Sequence, residues 1–376
     1  MTEALVDVEH LTKCFPVRSG LLDRLRHRET YVTAVDDVSF QIERGSVLGL
    51  VGESGCGKTT LGRLVLGLAR PTSGLIRFAG QDISTLKGNE MLAMRRRMQL
   101  VQQDPTASLN PRMKIGDAIG HGLVIHSMGD RSTIRETVLR TMESVGLTPA
   151  ESLYERYPRD LSGGMKQRVC IARAIILKPE FIVADEPVAM LDVSIRAMIL
   201  GLLQKARSEL GLTLLFITHD LTTAYYLCDR VMVMYMGQLV EMGPAKSFFR
   251  SPLHPYSLAL LSSAREGDPD LRVRKQQQPP RQVEGKIAVA SSAKGEVPNP
   301  LNPPSGCRFH PRCTYASEVC TTQPPKLEHV IGHNREEKDE GGGEDTATMT
   351  MVACHNYTKV RMLGEVEGSK SQSNDK

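Results

Sequence analysis

The sequence predicts an α/β fold in which helices cover the faces of a largely parallel β-sheet. Two observations carry this prediction: short apolar segments alternate with helix-like ones over residues 1–262, and a glycine-rich turn joins one strand-like segment to the helix-like segment after it. The strand-like segments are VLGLVG, MQLVQQ, EFIVAD, LTLLFITH and RVMVMYMGQLVEMG. The helix-like segments are TTLGRLVLGL, MKQRVCIARAIIL and SIRAMILGLLQKARSEL.

The remainder of the chain differs in composition from this first part. Residues 263–306 are rich in proline, glutamine and charge and predict a linker, whereas residues 307–357 hold the last four cysteines. Residues 358–376 predict a disordered tail, and the acidic stretch HNREEKDEGGGED predicts a flexible insertion.

Length and composition limit the class of protein. At 376 residues, with 40% hydrophobic and 24% charged residues, the chain suits one large or two modest globular domains. The longest apolar runs are much shorter than the ~18 residues that span a bilayer, and the start MTEALVDVEH does not resemble a signal peptide. We therefore expect a protein that stays in the cytosol. A net charge of +4 is too slight to predict binding to nucleic acid.

The stretch GESGCGKTT predicts a phosphate-binding loop between a strand and a helix. It fits the pattern G-x-x-x-x-G-K-[ST], in which glycines let backbone N–H groups turn towards an anion at a helix N-terminus. Lys58 is expected to reach the β- and γ-phosphates, and Thr59 the Mg²⁺. The residues expected to contact nucleotide here are Gly52, Ser54, Gly55, Gly57, Lys58, Thr59 and Thr60. The alternative interpretation is a plain glycine turn.

Polar residues follow three of the predicted strands, at the edge where open α/β sheets bind ligands. Asp185 suits Mg²⁺, which prefers oxygen ligands and keeps several waters, and Glu186 is placed to polarise an attacking water. His219 is expected at the γ-phosphate, and the Gln103 amide at both the metal and the water. Taken alone, the acidic pair favours a structural role at a strand end, and a lone histidine there is more often structural.

The stretch LSGGMKQR predicts a second phosphate-binding helix start. Ser162, Gly163 and Gly164 precede the helix-like MKQRVCIARAIIL. One γ-phosphate does not need two such sites from a single subunit. Two copies facing head to tail resolve this, because each helix start then closes over the nucleotide held by the other copy's loop.

These motifs, in this order, resemble the ATPase subunits of ABC transporters over about residues 5–262. The matching motifs are Walker A at Gly52–Thr59, the glutamine at 103, the signature LSGGM, Walker B FIVADE, the LD pair at Leu191 and Asp192, and His219. The resemblance implies a P-loop NTPase with a RecA-like core, an antiparallel β subdomain and a helical subdomain at about 104–175. It places Asp192 in the nucleotide site and an aromatic residue against adenine, with Phe15 the first candidate and Tyr31 the second; packing at the edge of the core is the alternative for each.

Three further stretches, QDPTASLNPR, DEPVAMLDVSIRA and SPLHPYSLALL, resemble the oligopeptide/dipeptide importer branch, which includes nickel and some sugar importers. This resemblance implies an ATPase that uses ATP and Mg²⁺ to power import of peptides, with nickel or oligosaccharides as alternative cargo. It implies as partners two membrane-spanning permease subunits, a second related ATPase or another copy of this chain, and indirectly an extracytoplasmic substrate-binding protein. The expected location is the cytoplasmic face of the membrane. ABC ATPases of DNA repair or translation are a weaker match, since the chain has neither a long coiled-coil insert nor a second ATPase cassette.

The last four cysteines, Cys307, Cys313, Cys320 and Cys354, follow no common spacing for zinc fingers or ferredoxins. In a cytosolic chain they are expected to be thiols, metal ligands or redox groups. The resemblance implies a [4Fe–4S] cluster, with zinc as the alternative metal and free thiols as the alternative state.

Cys56 lies inside the phosphate loop. A thiol near a helix N-terminus is expected to have a lowered pKa and to react readily, and the alternative is a small filler residue.

Overall fold

The computed structural model describes residues 4–17, 30–267, 295–332 and 348–360. Most of the predicted linker (268–294), the acidic stretch (333–345) and most of the predicted tail (361–376) lie outside the described residues. The chain divides into two compact units. The first unit comprises Met1–Leu11, Asp37–Gly49 and Thr59–His219, and the second comprises Thr12–Asp36, Leu50–Lys58 and Asp220–Lys376.

Strands and helices are each numbered in their order along the described parts of the chain. The strands are β1 (Ala4–Val17), β2 (Thr30–Glu43), β3 (Val47–Val51), β4 (Ser73–Phe78), β5 (Gln81–Asp82), β6 (Met98–Val101), β7 (Phe181–Asp185), β8 (Thr213–Thr218), β9 (Arg230–Tyr235), β10 (Gln238–Pro244), β11 (Glu328–Gly332) and β12 (Thr348–Val352). The helices are α1 (Lys58–Val65), α2 (Gly88–Arg97), α3 (Pro105–Ser108), α4 (Ile115–Ile125), α5 (Arg131–Ser144), α6 (Ala150–Tyr154), α7 (Gly163–Ile175), α8 (Val193–Leu210), α9 (Leu221–Leu227), α10 (Ala245–Arg250), α11 (Pro255–Gly267) and α12 (Glu318–Thr322).

The first unit contains a parallel run of strands in the order β8-β7-β6, with the first part of β3 beside β8. Every residue of β7 and β8 is buried, as expected for strands covered on both faces. Because parallel strands end at the same edge of a sheet, the residues that follow them are brought to one edge. Those residues are Gln103, Glu186 and His219.

A second sheet of the fold has the strand order β2-β1-β4-β5. Its short partner β5 joins β4 through a tight antiparallel connection, with Arg77 opposite Asp82. In β1 the pattern of burial over Ala4–Leu11 places apolar side chains such as Leu5, Val8 and Leu11 in the core. Helices α3 to α7 occupy residues 105–175, the range in which the sequence predicts a helical subdomain.

The second unit departs from the predicted parallel arrangement. The stretch RVMVMYMGQLVEMG forms two strands, β9 and β10, that turn back on each other at Met236 and Gly237. A connection this short permits only antiparallel pairing, because a parallel crossover needs a dozen or more residues. Strand β12 pairs antiparallel with β10, and β11 with β12. The prediction of a largely parallel sheet is therefore wrong for strands β9 and β10, which pair antiparallel within this unit.

Helix α11 continues to Gly267, past residue 263 where the sequence predicts the linker to begin. It starts just after Leu253 and His254, whose backbone N–H groups donate to the buried carboxylate of Glu241 over 2.9 and 2.8 Å. Among the residues that the structure describes, no helix combines the length and apolar composition needed to cross a membrane.

Candidate functional site

The phosphate-binding loop of the second unit follows β3 and requires glycine at two positions. Gly52 has φ +155°, and a Cβ there would lie 2.3 Å from the carbonyl oxygen of Met234. Gly57 has φ +112°, and its Cβ would lie 2.1 Å from the carbonyl oxygen of Ala34. Both backbone angles lie in the left-handed half of conformational space, and both contacts are too close for any side chain. The glycines are therefore needed for the path of the loop.

Lys58 is the buried cation of this loop. Its side chain is inserted among loop carbonyls, and Nζ donates to the oxygens of Gly52 (2.8 Å) and Glu53 (2.9 Å). The residue is only 5% exposed, so the contacts with the loop, and not solvent, determine the position of its ammonium group. Ser54 and Gly55, by contrast, are exposed at the rim of the loop, and Thr60 is half-buried.

The pKa of the Cys56 thiol is raised, whereas its position at a helix start predicts a lowered one. The residue is 7% exposed, and burial raises the pKa of its thiol, although the charge of Lys58 opposes this. The expectation of a lowered pKa is wrong because desolvation of the thiolate outweighs the nearby positive charge. The role of a small filler residue fits better, since the sulfur fills space beside Gly52.

In the first unit, Thr59 and Asp185 are joined. The hydroxyl Oγ1 of Thr59 donates to Oδ1 of Asp185 over 3.1 Å, across 126 residues of sequence. Asp185 is 7% exposed at the end of β7. A hydroxyl and a carboxylate in contact supply oxygen donors of the kind that Mg²⁺ prefers, so the donor set fits this metal.

Glu186 is the point at which the predicted catalytic residues meet. Its Oε2 accepts a hydrogen bond from Nε2 of Gln103 at 2.8 Å and lies 3.2 Å from Nδ1 of His219. The Glu186 side chain is 13% exposed and that of His219 is 55% exposed, so the carboxylate is enclosed while the imidazole faces solvent. Glu186 also has φ 46°, a strained angle for a residue with a side chain, and its N–H donates to Ile217 O at 2.9 Å.

The second predicted phosphate site lies at the start of α7. Ser162 caps this helix, with Oγ accepting from the Met165 N–H at 3.4 Å. Gly164 packs under Ile195, since a Cβ there would lie 2.8 Å from Cγ2 of that side chain. Gly163 has open space around it. The helix start therefore combines free room at one glycine with close packing at the other.

Asp192 is the N-cap of α8. Its Oδ1 accepts from the Ile195 N–H at 2.9 Å and from the Ser194 hydroxyl at 2.8 Å. Both bonds lower the pKa of the carboxyl, and the bond from the Ile195 N–H has the larger effect. In the described residues its visible role is thus to start a helix.

The two aromatic candidates for adenine stacking, Phe15 and Tyr31, are both in the second unit. Phe15 is 43% exposed, with Nζ of Lys13 lying 5.0 Å from its ring centre. Tyr31 is 47% exposed. Neither ring is part of the buried core.

The four late cysteines lie near one another in the second unit. Burial raises the pKa of Cys354 to about 12, and the neighbouring thiols of Cys313, Cys307 and Cys320 contribute to the rise. Backbone N–H groups of Tyr315 and Asn356 donate to the sulfurs of Cys313 and Cys354, each at 3.4 Å. Even so, no group of three or more His, Cys, Asp or Glu side chains within the described residues is arranged to hold a metal ion.

One contact to the phosphate loop is not predicted by the sequence. The guanidinium of Arg312 binds both carboxylate oxygens of Glu53, with Nη1–Oε2 at 2.9 Å and Nη2–Oε1 at 3.0 Å. The signal was present in the sequence as an acidic residue inside the loop and as two arginines inside CRFHPRC, but no local pattern connects them.

Comparisons with known proteins agree on one family. The model of the ABC transporter family matches residues 35–189, and that of the C-terminal region of oligopeptide/dipeptide transporters matches residues 240–288 and 282–320. A putative peptide import ATP-binding protein of Brucella ovis is 45% identical over 88% of this chain and 96% of its own length. The dipeptide transport ATP-binding protein DppF of Haemophilus influenzae is 42% identical over 87% of this chain and 94% of its own. The oligopeptide transport ATP-binding protein AppF of Bacillus subtilis is 42% identical over 95% and 98%.

Two solved structures share the fold. One is the dimeric, post-hydrolysis state of the ATP-binding cassette MJ0796 bound to ADP and Pi, with a TM-score of 0.56 and 26% identity over 64% of this chain and 98% of that chain. The other is cbiO1 from Clostridium perfringens, part of the ABC transporter complex cbiONQ, with a TM-score of 0.57 and 25% identity over 73% of this chain and 100% of that chain.

Proposed function

Because this chain belongs to the family of ATP-binding subunits of ABC transporters, we propose that it hydrolyses ATP to drive import of peptides through a membrane transporter. One observation supports the chemistry above all: Gln103 and His219 both lie at Oε2 of Glu186, the residue that directly follows Asp185. The names of the relatives, which are peptide, dipeptide and oligopeptide import or transport proteins, support the cargo.

The reaction is in-line attack of water on the γ-phosphorus of ATP, in which catalysis comes mostly from positioning and charge stabilisation. Lys58 binds the phosphates as a buried cation. Glu186 accepts the proton of the attacking water through the carboxylate that Gln103 orients. His219 lies beside that carboxylate, where its imidazole can hold the water or the γ-phosphate in register.

Thr59 and Asp185 would hold Mg²⁺, with the side-chain amide of Gln103 as a third ligand. The metal would neutralise charge on the phosphate oxygens. The hydrogen bond between Thr59 and Asp185 fixes both oxygens in advance. Since Asp185 is almost fully buried, the carboxylate has little freedom to turn away.

Two ATPase subunits act together in this proposal. Ser162, Gly163 and Gly164 of one copy close over the triphosphate bound by the other copy's loop, and Asp192 lies in the same interface. The solved relative in a dimeric post-hydrolysis state with ADP and Pi supports such an arrangement. The second subunit is either another copy or a related ATPase.

The remaining partners are two permease subunits and, indirectly, an extracytoplasmic substrate-binding protein, which place this chain at the cytoplasmic face of the membrane. The segment after Gln103 is the part we assign to the permease. It begins with α3, whose N-cap Asp104 accepts from the N–H groups of Thr106 and Ala107 at 2.7 and 3.1 Å. Movement of the Gln103 side chain at Glu186 is thereby linked through Asp104 alone to the single turn of helix α3.

We propose a metal centre at Cys307, Cys313, Cys320 and Cys354 in the extension 307–357, with a [4Fe–4S] cluster first and zinc second. The support is the chemistry of the donor set, because four thiolates suit either metal. Burial raises the pKa of Cys313 and Cys354, and the N–H bonds to their sulfurs oppose that rise. Anaerobic purification followed by metal and sulfide analysis and a visible spectrum tests this: equal iron and sulfide support the cluster, zinc supports the alternative, and neither leaves free thiols.

The transport function is tested by assembly. The chain is co-expressed with candidate permeases, purified as a complex and reconstituted in vesicles, and ATP hydrolysis and uptake of a labelled dipeptide are measured together. Uptake that requires ATP and stops with Glu186→Gln supports the proposal. An ATPase that co-purifies with no membrane protein, or uptake of Ni²⁺ or an oligosaccharide in place of peptide, contradicts the peptide assignment.

A further inference from the structure

Glu53, the second residue of the phosphate loop, is held at three points within the second unit. Its carbonyl oxygen accepts from Nζ of Lys58 at 2.9 Å. Its N–H donates to the hydroxyl of Tyr256 at 2.8 Å. Its carboxylate receives both terminal nitrogens of Arg312. By holding the Glu53 carboxylate, Arg312 therefore also helps to position the Glu53 carbonyl, which is one of the two carbonyls that bind the Lys58 ammonium.

Arg312 is built into the protein interior. It is 8% exposed, and its Nη1 also lies 3.4 Å from the hydroxyl of Tyr235. The guanidinium lies 5.8 and 5.9 Å from the ring centres of Tyr235 and Phe309. Its Nε is buried without a hydrogen-bond partner among the described residues. A buried guanidinium is tolerated when a carboxylate compensates it, and only arginine offers the planar pair of donors that binds both oxygens at once.

Arg312 comes from the cysteine-rich extension, between Cys307 and Cys313. The same short segment is anchored twice more. Arg308 donates to Oδ2 of Asp36 and to the carbonyl of Met236. Phe309 is 2% exposed, and its ring centre lies 5.3 Å from that of Tyr235 and 5.4 Å from that of Tyr256.

The anchor at Arg308 also leads back to the loop. Asp36 N–H donates to the carbonyl of Gly237, and Gly237 N–H donates to the carbonyl of Cys56, each at 2.9 Å. Residues 307–313 thus contact the phosphate loop directly at Glu53. They are also linked to it indirectly, through the turn at Met236 and Gly237. At its other side the segment is tied to the cysteines, since Cys307 N–H donates to Cys320 O at 2.8 Å.

We propose that Arg312 is a positioning residue for ATP binding, which makes the nucleotide affinity of the phosphate loop depend on the folded state of the cysteine-rich segment 307–313. The inference rests on the proposed ATPase function. Arg312 acts through Glu53 and Lys58 and does not itself touch the phosphates. Loss of order around Cys307 and Cys313 would withdraw Arg312, leave Glu53 free to rotate and loosen the loop.

The test compares Arg312→Ala, Arg312→Lys, Glu53→Gln and the double variant Glu53→Gln/Arg312→Ala in the full-length chain. Binding of a fluorescent ATP analogue, KM and kcat for ATP, and the thermal midpoint without nucleotide are measured for each. We expect Arg312→Ala to weaken nucleotide binding ~10-fold, the scale of coupling between groups in contact. Because the effect is on ground-state binding, KM rises while kcat changes by less than about threefold. Arg312→Lys should be intermediate, since an ammonium cannot bind both oxygens.

The double variant should bind nucleotide no more weakly than the worse single variant, because both changes break the same contact. The matched control is Lys326→Ala, an exposed cation of the same extension, which should leave every measurement unchanged. A second pair links the cysteines: Cys313→Ser should weaken nucleotide binding in the native background and add nothing to Arg312→Ala.

Three results would overturn the inference while leaving the ATPase function intact. The first is an unchanged nucleotide affinity in Arg312→Ala despite a lowered thermal midpoint. The second is a double variant whose loss of nucleotide affinity equals the product of the losses in Glu53→Gln and Arg312→Ala. The third is a decrease in kcat with no change in KM. Failure of the native chain to bind or hydrolyse ATP would instead reject the proposed function itself. Glu53→Gln keeps the volume of the side chain and remains informative if Arg312→Ala fails to fold.

Discussion

Gln103 and Glu186 are 83 residues apart in sequence, yet the amide Nε2 of the first donates to Oε2 of the second over 2.8 Å. The bond leaves the carboxylate oriented and, because the side chain is only 13% exposed, shielded from bulk water. A carboxylate held in this way is suited to accept a proton from a bound water molecule.

Glu186→Gln is therefore expected to lower the ATP hydrolysis rate by ~10²- to 10⁴-fold, the usual value of a general base. ATP binding should persist, because Lys58 and the loop are untouched. Phosphate release at saturating ATP measures the first effect and a fluorescent analogue the second. A variant that turns over at near the native rate would remove Glu186 from this role.

Asp185→Asn should raise the Mg²⁺ concentration needed for half-maximal hydrolysis by ~10- to 100-fold, the range seen when a metal's supporting carboxylate is lost. The carboxylate accepts from the Thr59 hydroxyl, so the change also weakens a pre-set pair of oxygens. Thr59→Ser, which keeps a hydroxyl, is the matched control and should shift the Mg²⁺ dependence much less. An unaltered Mg²⁺ titration in Asp185→Asn would contradict the assignment.

The parts of the site that the sequence predicts are those set by local rules. A five-residue apolar strand that ends in Asp185 fixes where the carboxylates emerge, and the parallel pairing of β6, β7 and β8 brings the following residues to one edge. The loop glycines are likewise needed for local reasons, since the backbone at Gly52 and Gly57 has positive φ.

The parts that the sequence does not reveal depend on distant contacts. Arg312 and Glu53 are 259 residues apart, and the cysteine spacing gives no indication of the pairing. The addition of β12 to β10 is equally non-local. At Cys56 the sequence shows the positive charge of the helix start but not the depth of burial, and burial decides the direction of the pKa shift.

Ser162→Ala is expected to reduce ATP-driven dimerisation, tested in the Glu186→Gln background where bound ATP is not consumed. The change removes a helix cap, at a cost of about 1 kcal/mol, together with the hydroxyl that we assign to the partner's triphosphate. Sedimentation with and without ATP measures the dimer.

Asp130→Ala is the control for Ser162→Ala, because Asp130 caps α5 by accepting from the Thr133 N–H at 2.8 Å. It loses a cap of the same kind at a position to which we assign no nucleotide. Equal dimerisation of the two variants would reject the role of Ser162 across the dimer.

Glu241 should make stability depend on pH in a defined direction. It is 1% exposed, and burial raises its pKa to about 7, although the N–H groups of Leu253 and His254 oppose the rise. The folded protein therefore keeps the proton that the unfolded chain loses near pH 4.5, and this stabilising contribution is lost as pH rises to about 7. Burial lowers the pKa of the neighbouring His254 to about 3, which gives a slope of opposite sign below its ordinary pKa of 6.5.

Comparison of the native chain with Glu241→Gln separates the two slopes, because both proteins retain His254. The quantity to follow is the free energy of unfolding of the native chain minus that of the variant. This difference should fall by up to about 3 kcal/mol between pH 4.5 and 7, which is the free energy that corresponds to the rise in pKa, and it should stay level above pH 7.5. Urea unfolding at several pH values measures it. The amide keeps one acceptor for the two N–H donors of α11, so a constant offset between the proteins is expected as well. A difference that is independent of pH, or that grows as pH rises, would show that Glu241 is ionised in the folded protein across this range.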